Sequence, residues 1–301
     1  MERPLASIPP EKFEKALGAA ASATEARLDE LLPEKGATPR LLKAMRYAAL
    51  GPGKRLRPFL VIESAKLFDV PEARALSVGA ALECLHCYSL AHDDLPAMDD
   101  DDLRRGRPTL HRAFDEATAI LAGDALLTFA FEVLSRPDIH PEAEMRLKLI
   151  SELARAAGKD GMAGGQMLDL EAEAGRDLKI DEVLTLQAMK TGALFRFACM
   201  AGAILGGADP APLEAYGRAI GLAFQIADDL LDVSSSAAAL GKATQKDQAR
   251  GKATFVDLLG EAGARRRADE IIAEADRALE AYGARADMLR ATARFIVGRQ
   301  K

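Results

Sequence analysis

Along most of the chain, apolar residues recur at three- and four-residue intervals between Gly and Pro breaks, the spacing of one helix face. Residues 11–32 keep this spacing and end at Pro33; 40–50 stop at Gly51-Pro52-Gly53; 57–68 stop before Pro71. Residues 73–92 form a long, mostly apolar segment closed near Pro96, and 113–134 another, ending near Pro137. Segments 141–158, 162–174 and 181–206 follow, the last with Asp181 as its expected N-cap. Segments 212–233, 255–282 and 284–299 complete the series, with no strand-like alternation beyond a few residues, no linker and no internal repeat. Several segments are too apolar for a surface, so the pattern predicts an all-α fold: one domain over 1–301, a helical bundle of about ten or more helices with central ones ringed by others. Segments 234–241 and 245–251, rich in Ser, Ala, Gly and charge, are expected to be the least ordered.

Composition supports helix over sheet. Apolar residues make up 49% of 301, but aromatics only 5% and Trp is absent, so the interior is built from Ala, Leu, Ile, Val and Met. Forty basic against 46 acidic residues leave a net charge of −6, which lends no support to nucleic-acid binding or adhesion to anionic lipid. Cys84, Cys87 and Cys199 are an odd set, in keeping with reduced thiols and a cytoplasmic protein. Cys84 and Cys87 make a CxxC, but within an apolar helical stretch and without a second pair, so packing is the expected role. Residues 1–14 lack the apolar run of a signal peptide, and the best apolar stretch, 197–208, falls short of the roughly 20 residues that span a bilayer, so no membrane insertion is expected.

Charge clustering changes the picture. Asp93-Asp94 closes an apolar helix, Pro96 turns the chain, and Asp99 returns after a four-residue spacer, giving six acids in residues 93–102. Asp228, Asp229 and Asp232 sit among Phe224, Ile226, Leu230 and Leu231, with Asp228 and Asp232 four apart on one face. Carboxylates in such surroundings are costly without a cationic partner. Oxygen-only clusters suit hard cations, Mg²⁺ above all, which takes one or two carboxylates plus substrate phosphates. Basic residues are interleaved with both motifs: Arg104, Arg105 and Arg107 after the first, Lys54 and Arg57 at an earlier helix start, Lys190-Thr191 in mid-helix, and Lys242 and Lys252 after the second. Each alone reads as a solvated charge; the joint pattern indicates metal-bridged phosphate binding. No P-loop is present.

The stretch 89–111, SLAHDDLPAMDDDDLRRGRPTLH, resembles the first aspartate-rich motif of short-chain trans-isoprenyl diphosphate synthases, and FQIADDLLD at 224–232 resembles the second. GKRLRP at 53–58 matches that family's early basic motif, and Lys190-Thr191 and Gly241-Lys242 fall where the family has theirs, so the resemblance runs from about residue 45 to 255. Pro52 departs from it, standing where glycine is commoner. The resemblance is strongest to bacterial farnesyl diphosphate synthases. It implies a homodimeric helical bundle around a deep cavity, with three Mg²⁺ ions held by Asp93, Asp99 and Asp228. Asp94, Asp229 and Asp232 would act behind these ligands or through water. It implies further that Arg104, Lys190 and Lys242 contact the allylic diphosphate, and that Lys54, Arg57, His86 and Arg105 bind isopentenyl diphosphate. Thr191 and Gln225 would line the reacting carbons, and Lys252 would close over the site. Taken alone, His86 reads as a satisfied core histidine. Leu85, Leu90, Phe129, Phe195 and Ala198 are candidate apolar walls, and 113–134 the candidate dimer face.

Tyr88 lies about 7 Å below Asp93 along the helix, although wheel geometry aims Ser89 at the pocket more directly. An aromatic five residues before the first aspartate resembles bacterial farnesyl synthases, which implies a fifteen-carbon product; geranylgeranyl diphosphate is the alternative. A terpene cyclase or head-to-head synthase would not need the Lys54/Arg57 site. A non-catalytic partner subunit would commonly lose motifs that are intact here, and a helical scaffold with an acidic patch would have no activity at all.

Overall fold

The computed structural model describes residues 8–176, 178–238 and 254–298, and at 232, 234–238 and 257 the backbone alone. Helices α1 (Pro10–Leu31), α2 (Pro39–Ala49), α3 (Leu56–Lys66) and α4 (Glu72–Asp93) open the chain. Prolines stand at the first turns of α1 and α2, where no backbone N–H is needed. Strands β1 (Leu103–Arg104) and β2 (Arg107–Pro108) pair antiparallel, Leu103 opposite Pro108 and Arg104 opposite Arg107. This hairpin is absent from the apolar periodicity, because two-residue strands are too short to show alternation.

The segment expected at 113–134 is divided. A single turn, α5 (Leu110–Ala113), precedes α6 (Glu116–Ser135), whose N-cap is Asp115. The Asp115 carboxylate accepts from Thr118 N–H at 2.7 Å, so the helix starts three residues later than periodicity indicates. Helices α7 (Ala143–Ala157) and α8 (Met162–Glu173) follow. The segment expected at 181–206 is α9 (Ile180–Gln187), a π turn (Ala188–Gly192) and α10 (Ala193–Leu205) in one run. Asp181 is not its N-cap: Lys179 is, with its N–H donating to the Glu182 carboxylate at 3.0 Å.

Helix α11 (Ala211–Ala238) continues past Val233, so 234–238, expected to be poorly ordered, are helical in backbone; 239–241 and 245–251 lie outside the described residues. Helix α12 (Phe255–Ala278) breaks at Gly260 (φ 67°), a 3₁₀ segment (Glu280–Ala286) follows, and α13 (Asp287–Gly298) ends the description.

Apolarity sorts the layers. Every residue of α10 except Arg196 is buried, as are most of α3 and α4, so these form the centre and the amphipathic helices surround them. By length and composition α6 and the α9–α10 run could each cross a bilayer, which corrects the expectation that no segment is long enough. The α9–α10 run is core, being mostly buried among other helices, whereas α6 keeps Ile120 and Leu121 43% and 58% exposed.

Tyr216 ties two layers together: fully buried in α11, its hydroxyl donates to Leu289 O of α13 at 2.7 Å. Tyr216→Phe leaves that carbonyl without its partner and lowers stability by about 1–3 kcal/mol, seen as a reduced urea midpoint at unchanged m-value.

Candidate active site

The first acidic run begins where α4 ends: Asp93 is its last residue and Asp94 its C-cap. A helix C-terminus disfavours added negative charge, so this placement calls for cations. The spacer then folds back. Met98 N–H donates to Leu95 O at 2.9 Å, Asp99 N–H to Asp93 O at 2.8 Å and Asp100 N–H to Leu95 O at 3.1 Å, with Asp100 at φ 51°. Asp99 is thereby returned to Asp93. Burial pushes the Asp93 carboxyl up to about 6, Lys190 pulling it back and Asp99 adding repulsion. Asp94 is engaged otherwise: buried, it accepts from Arg104 Nε and Nη2, each at 2.6 Å.

Arg104 reaches Asp94 from the hairpin. Its turn residues, Arg105 and Gly106, have φ of 53° and 76°, the paired left-handed backbone of a type I′ turn, which glycine supplies without strain. From that turn Arg105 Nη1 donates to Pro52 O at 2.6 Å, so the unusual proline sits in the loop that receives this arginine. Across the cleft, Arg57 Nη1 lies 3.4 Å from His86 Nε2 and its guanidinium stacks 4.8 Å from the Phe195 ring centroid. Lys54 Nζ lies 5.7 Å from the Phe295 centroid. Lys54, Arg57, His86, Arg105 and Asp228 together line a cleft of about 520 Å³ with Phe195, Phe224 and Phe295 among its apolar walls. His86 is therefore not a core histidine but a cleft residue. Burial, then Arg57 and Arg105, hold its pKa well below the ordinary value. A smaller pocket of about 70 Å³, also touching Arg105, takes Leu90, Asp94 and Arg104.

Lys190 and Thr191 lie in the π turn, an irregularity common at functional sites. Helix α8 packs on it so closely that a Cβ at Gly165 would fall 2.2 Å from Lys190 N, which only glycine tolerates. The same helix supplies Asp169, whose carboxylate accepts from Lys190 Nζ, while the Gln225 amide bonds to Gln187. Asp229 accepts from Phe255 N–H at 2.7 Å, capping α12. Tyr88 is half-buried and meets His92 edge-on at 5.6 Å, and Ser89 Oγ turns back to His86 O at 2.9 Å. Of the walls expected, Phe195 lines the cleft and Leu90 the smaller pocket; Leu85 and Ala198 are fully buried, and Phe129 instead carries Arg136 5.5 Å from its ring centroid. Lys242 and Lys252 lie outside the described residues, as does the side chain of Asp232.

Several contributors were not singled out from the sequence: Arg55, inside the basic motif but given no role there, and Glu83 on the cleft, Asp169 beside Lys190, and Gln187 beside Gln225. A lone acid in an apolar stretch was the available signal for Glu83 and, less clearly, for Asp169. The donors suit Mg²⁺: they are all oxygen, and Asp93 sits at a helix end in a buried setting that raises its carboxyl pKa, two costs that a divalent cation relieves. Among the described residues, no three carboxyl, imidazole or thiol groups are gathered closely enough to hold an ion.

A helical bundle with two aspartate-bearing helices and a cationic cleft defines the class of prenyl-transferring synthases. The chain matches the polyprenyl synthetase family over residues 38–284, belongs to it, and is a prenyltransferase. It is 47% identical to the farnesyl diphosphate synthase of Escherichia coli (strain K12) over 270 residues, 87% of this chain and 90% of that one. It is 43% identical to the farnesyl diphosphate synthase of Geobacillus stearothermophilus, over 81% of this chain and 83% of that one. Its fold matches the apo crystal structure of an FPP/GFPP synthase from Zymomonas mobilis with a TM-score of 0.88 and 47% identity, covering 96% and 99% of the two chains.

The depressed pKa of His86 has a consequence for stability. The folded protein binds the imidazole proton more weakly than the unfolded chain, so His86 destabilises the fold as pH falls below the unfolded value of about 6.5, by at most about 1.4 kcal/mol per pH unit. The raised Asp93 carboxyl acts in the opposite sense over the same range, so the test is comparative: between pH 7.5 and 5 the urea midpoint of His86→Gln should lose less, or gain more, on acidification than that of the unsubstituted protein.

Proposed function

We propose that this chain is a cytoplasmic, homodimeric, Mg²⁺-dependent farnesyl diphosphate synthase that joins isopentenyl diphosphate to dimethylallyl and then geranyl diphosphate. The observation that carries this reading is the cleft in which Lys54, Arg57, His86 and Arg105 stand beside Asp228. It would serve as a second cationic diphosphate subsite beside Asp228, which a cyclase or a scaffold does not need.

Asp93, Asp99 and Asp228 would hold three Mg²⁺ ions, with Asp94, Asp229 and Asp232 supporting them. These ions, when bound, stabilise charge on the departing diphosphate. Arg104, Lys190 and Lys242 contact that diphosphate, and Lys252 closes over it. The allylic C–O bond breaks with its electron pair leaving on diphosphate. The isopentenyl alkene then forms the new C–C bond to the allylic carbon, and the released diphosphate takes up the proton whose C–H electron pair becomes the new double bond. Lys54, Arg57, His86 and Arg105 orient isopentenyl diphosphate for that attack. Thr191, in the π turn, and Gln225 would line the reacting carbons. Phe195, Phe224 and Phe295 keep water from the cation. Tyr88, with Ser89 beside it, sets chain length at fifteen carbons.

Incubation with Mg²⁺, dimethylallyl and isopentenyl diphosphates should yield mainly the C15 product; a dominant C20 product would overturn the length assignment. Asp93→Ala should lower kcat about 10²-fold or more at unchanged helix content. Tyr88→Ala should lengthen the product.

The exposed apolar face of α6 supports the dimer. Leu121→Glu places a charge in that face and should shift the protein towards monomer in sedimentation velocity, while a mass unchanged at dilute concentration would remove α6 from the interface.

A further inference from the structure

Between Lys54 in the loop and Arg57 in the first turn of α3, both on the cleft, stands an arginine committed to the protein itself. Arg55, the N-cap residue of α3, has left-handed backbone (φ 49°, ψ 40°), strained for a side chain of its size. Its side chain is 1% exposed. Nη1 donates to Glu83 Oε1 at 2.7 Å, while Nη2 donates to Ala49 O at 2.9 Å and to Gly51 O at 2.6 Å. Nε stands 3.7 Å from Glu25 of α1. One guanidinium thus ties the end of α2 and the loop that follows it to α4. Glu83, 4% exposed, lies one helical turn before His86 on α4.

A buried ion pair is weak evidence for stability, because apolar residues of like volume usually serve as well. Its retention beside a substrate cleft points to position. The fork of arginine is also required: a lysine ammonium cannot meet acceptors spread over three segments at once. We infer that Arg55 and Glu83 are positioning residues for the isopentenyl diphosphate subsite, fixing Lys54 and Arg57 relative to His86 and so governing binding of the homoallylic but not the allylic diphosphate. The inference rests on the reading of that cleft given under Proposed function.

Calorimetric titration of the full chain with isopentenyl diphosphate alone, which has no allylic partner to react with, measures the subsite without turnover. Glu83→Gln and Arg55→Lys should each weaken binding about ten-fold or more, the scale of one or two lost charge-assisted hydrogen bonds, and leave the KM for dimethylallyl diphosphate nearly unchanged. Because breaking a buried pair also costs stability, the double variant Arg55→Met/Glu83→Leu is the control. Having no unpaired buried charge, it should melt above either single variant, short of the unsubstituted protein by what the Ala49 and Gly51 carbonyls lose, and its affinity should stay low. Recovery of affinity as well, or single variants that lose thermal stability and bind normally, would reduce the pair to a structural strut and overturn the inference. Absence of isopentenyl diphosphate binding by the unsubstituted protein would overturn the cleft reading itself, an outcome visible before any variant is compared.

Discussion

Burying charge in an apolar bundle is costly unless each charge meets an opposite one, and that cost governs how the upper end of α4 is built. Three internal pairs meet it: Arg55 with Glu83, Arg104 with Asp94, and Lys190 with Asp169. Each joins a side chain of the diphosphate machinery, or a chain neighbour of one, to a different helix. The cations are therefore held in place before any substrate arrives. Asp93 is treated differently. It stays at a helix end with a raised pKa, so this position gains most from an added cation.

Backbone irregularity delivers the remaining groups. A regular helix through 188–192 would repeat side chains every 3.6 residues and give Lys190 and Thr191 only the facings of that period. The π turn rotates them out of phase, and α8 presses against it where Gly165 carries no side chain. Close approach of α8 also brings Asp169 within reach of Lys190. The hairpin works likewise: Arg105 and Gly106 reverse the chain in two residues, leaving Arg104 on Asp94 and Arg105 on the Pro52 carbonyl.

Helix positions were legible because each depends on its own apolar spacing, as in α3, α4 and α10. The aspartate motifs were legible because six acids crowded beside an apolar helix demand cations to balance them, and Arg104, Arg105 and Arg107 follow at once in the chain. What stayed hidden was set by neighbours in space. The Asp115 cap replaced a start at 113 because its carboxylate found Thr118, and Lys179 displaced Asp181 because Glu182 reached back to it. The hairpin was too short for periodicity to register. Glu83 and Asp169 carry no motif, and their roles emerge only when Arg55 and Lys190 are seen beside them.

His86 shows how the same constraint on buried charge reaches the chemistry. A protonated imidazole 3.4 Å from Arg57 would add a further positive charge to a cleft already lined by Lys54, Arg57 and Arg105, and burial would make that repulsion expensive. Kept neutral, the ring can accept from Arg57 Nη1 through Nε2, which places the remaining ring proton on Nδ1. The histidine then contributes direction rather than charge: it stands beside the Arg57 guanidinium, which stacks on the Phe195 face, and leaves the positive charge of the cleft to Lys54, Arg57 and Arg105. Replacing it with a permanent cation would set two buried positive charges in contact and drive the Arg57 guanidinium from the position that the neutral ring lets it keep.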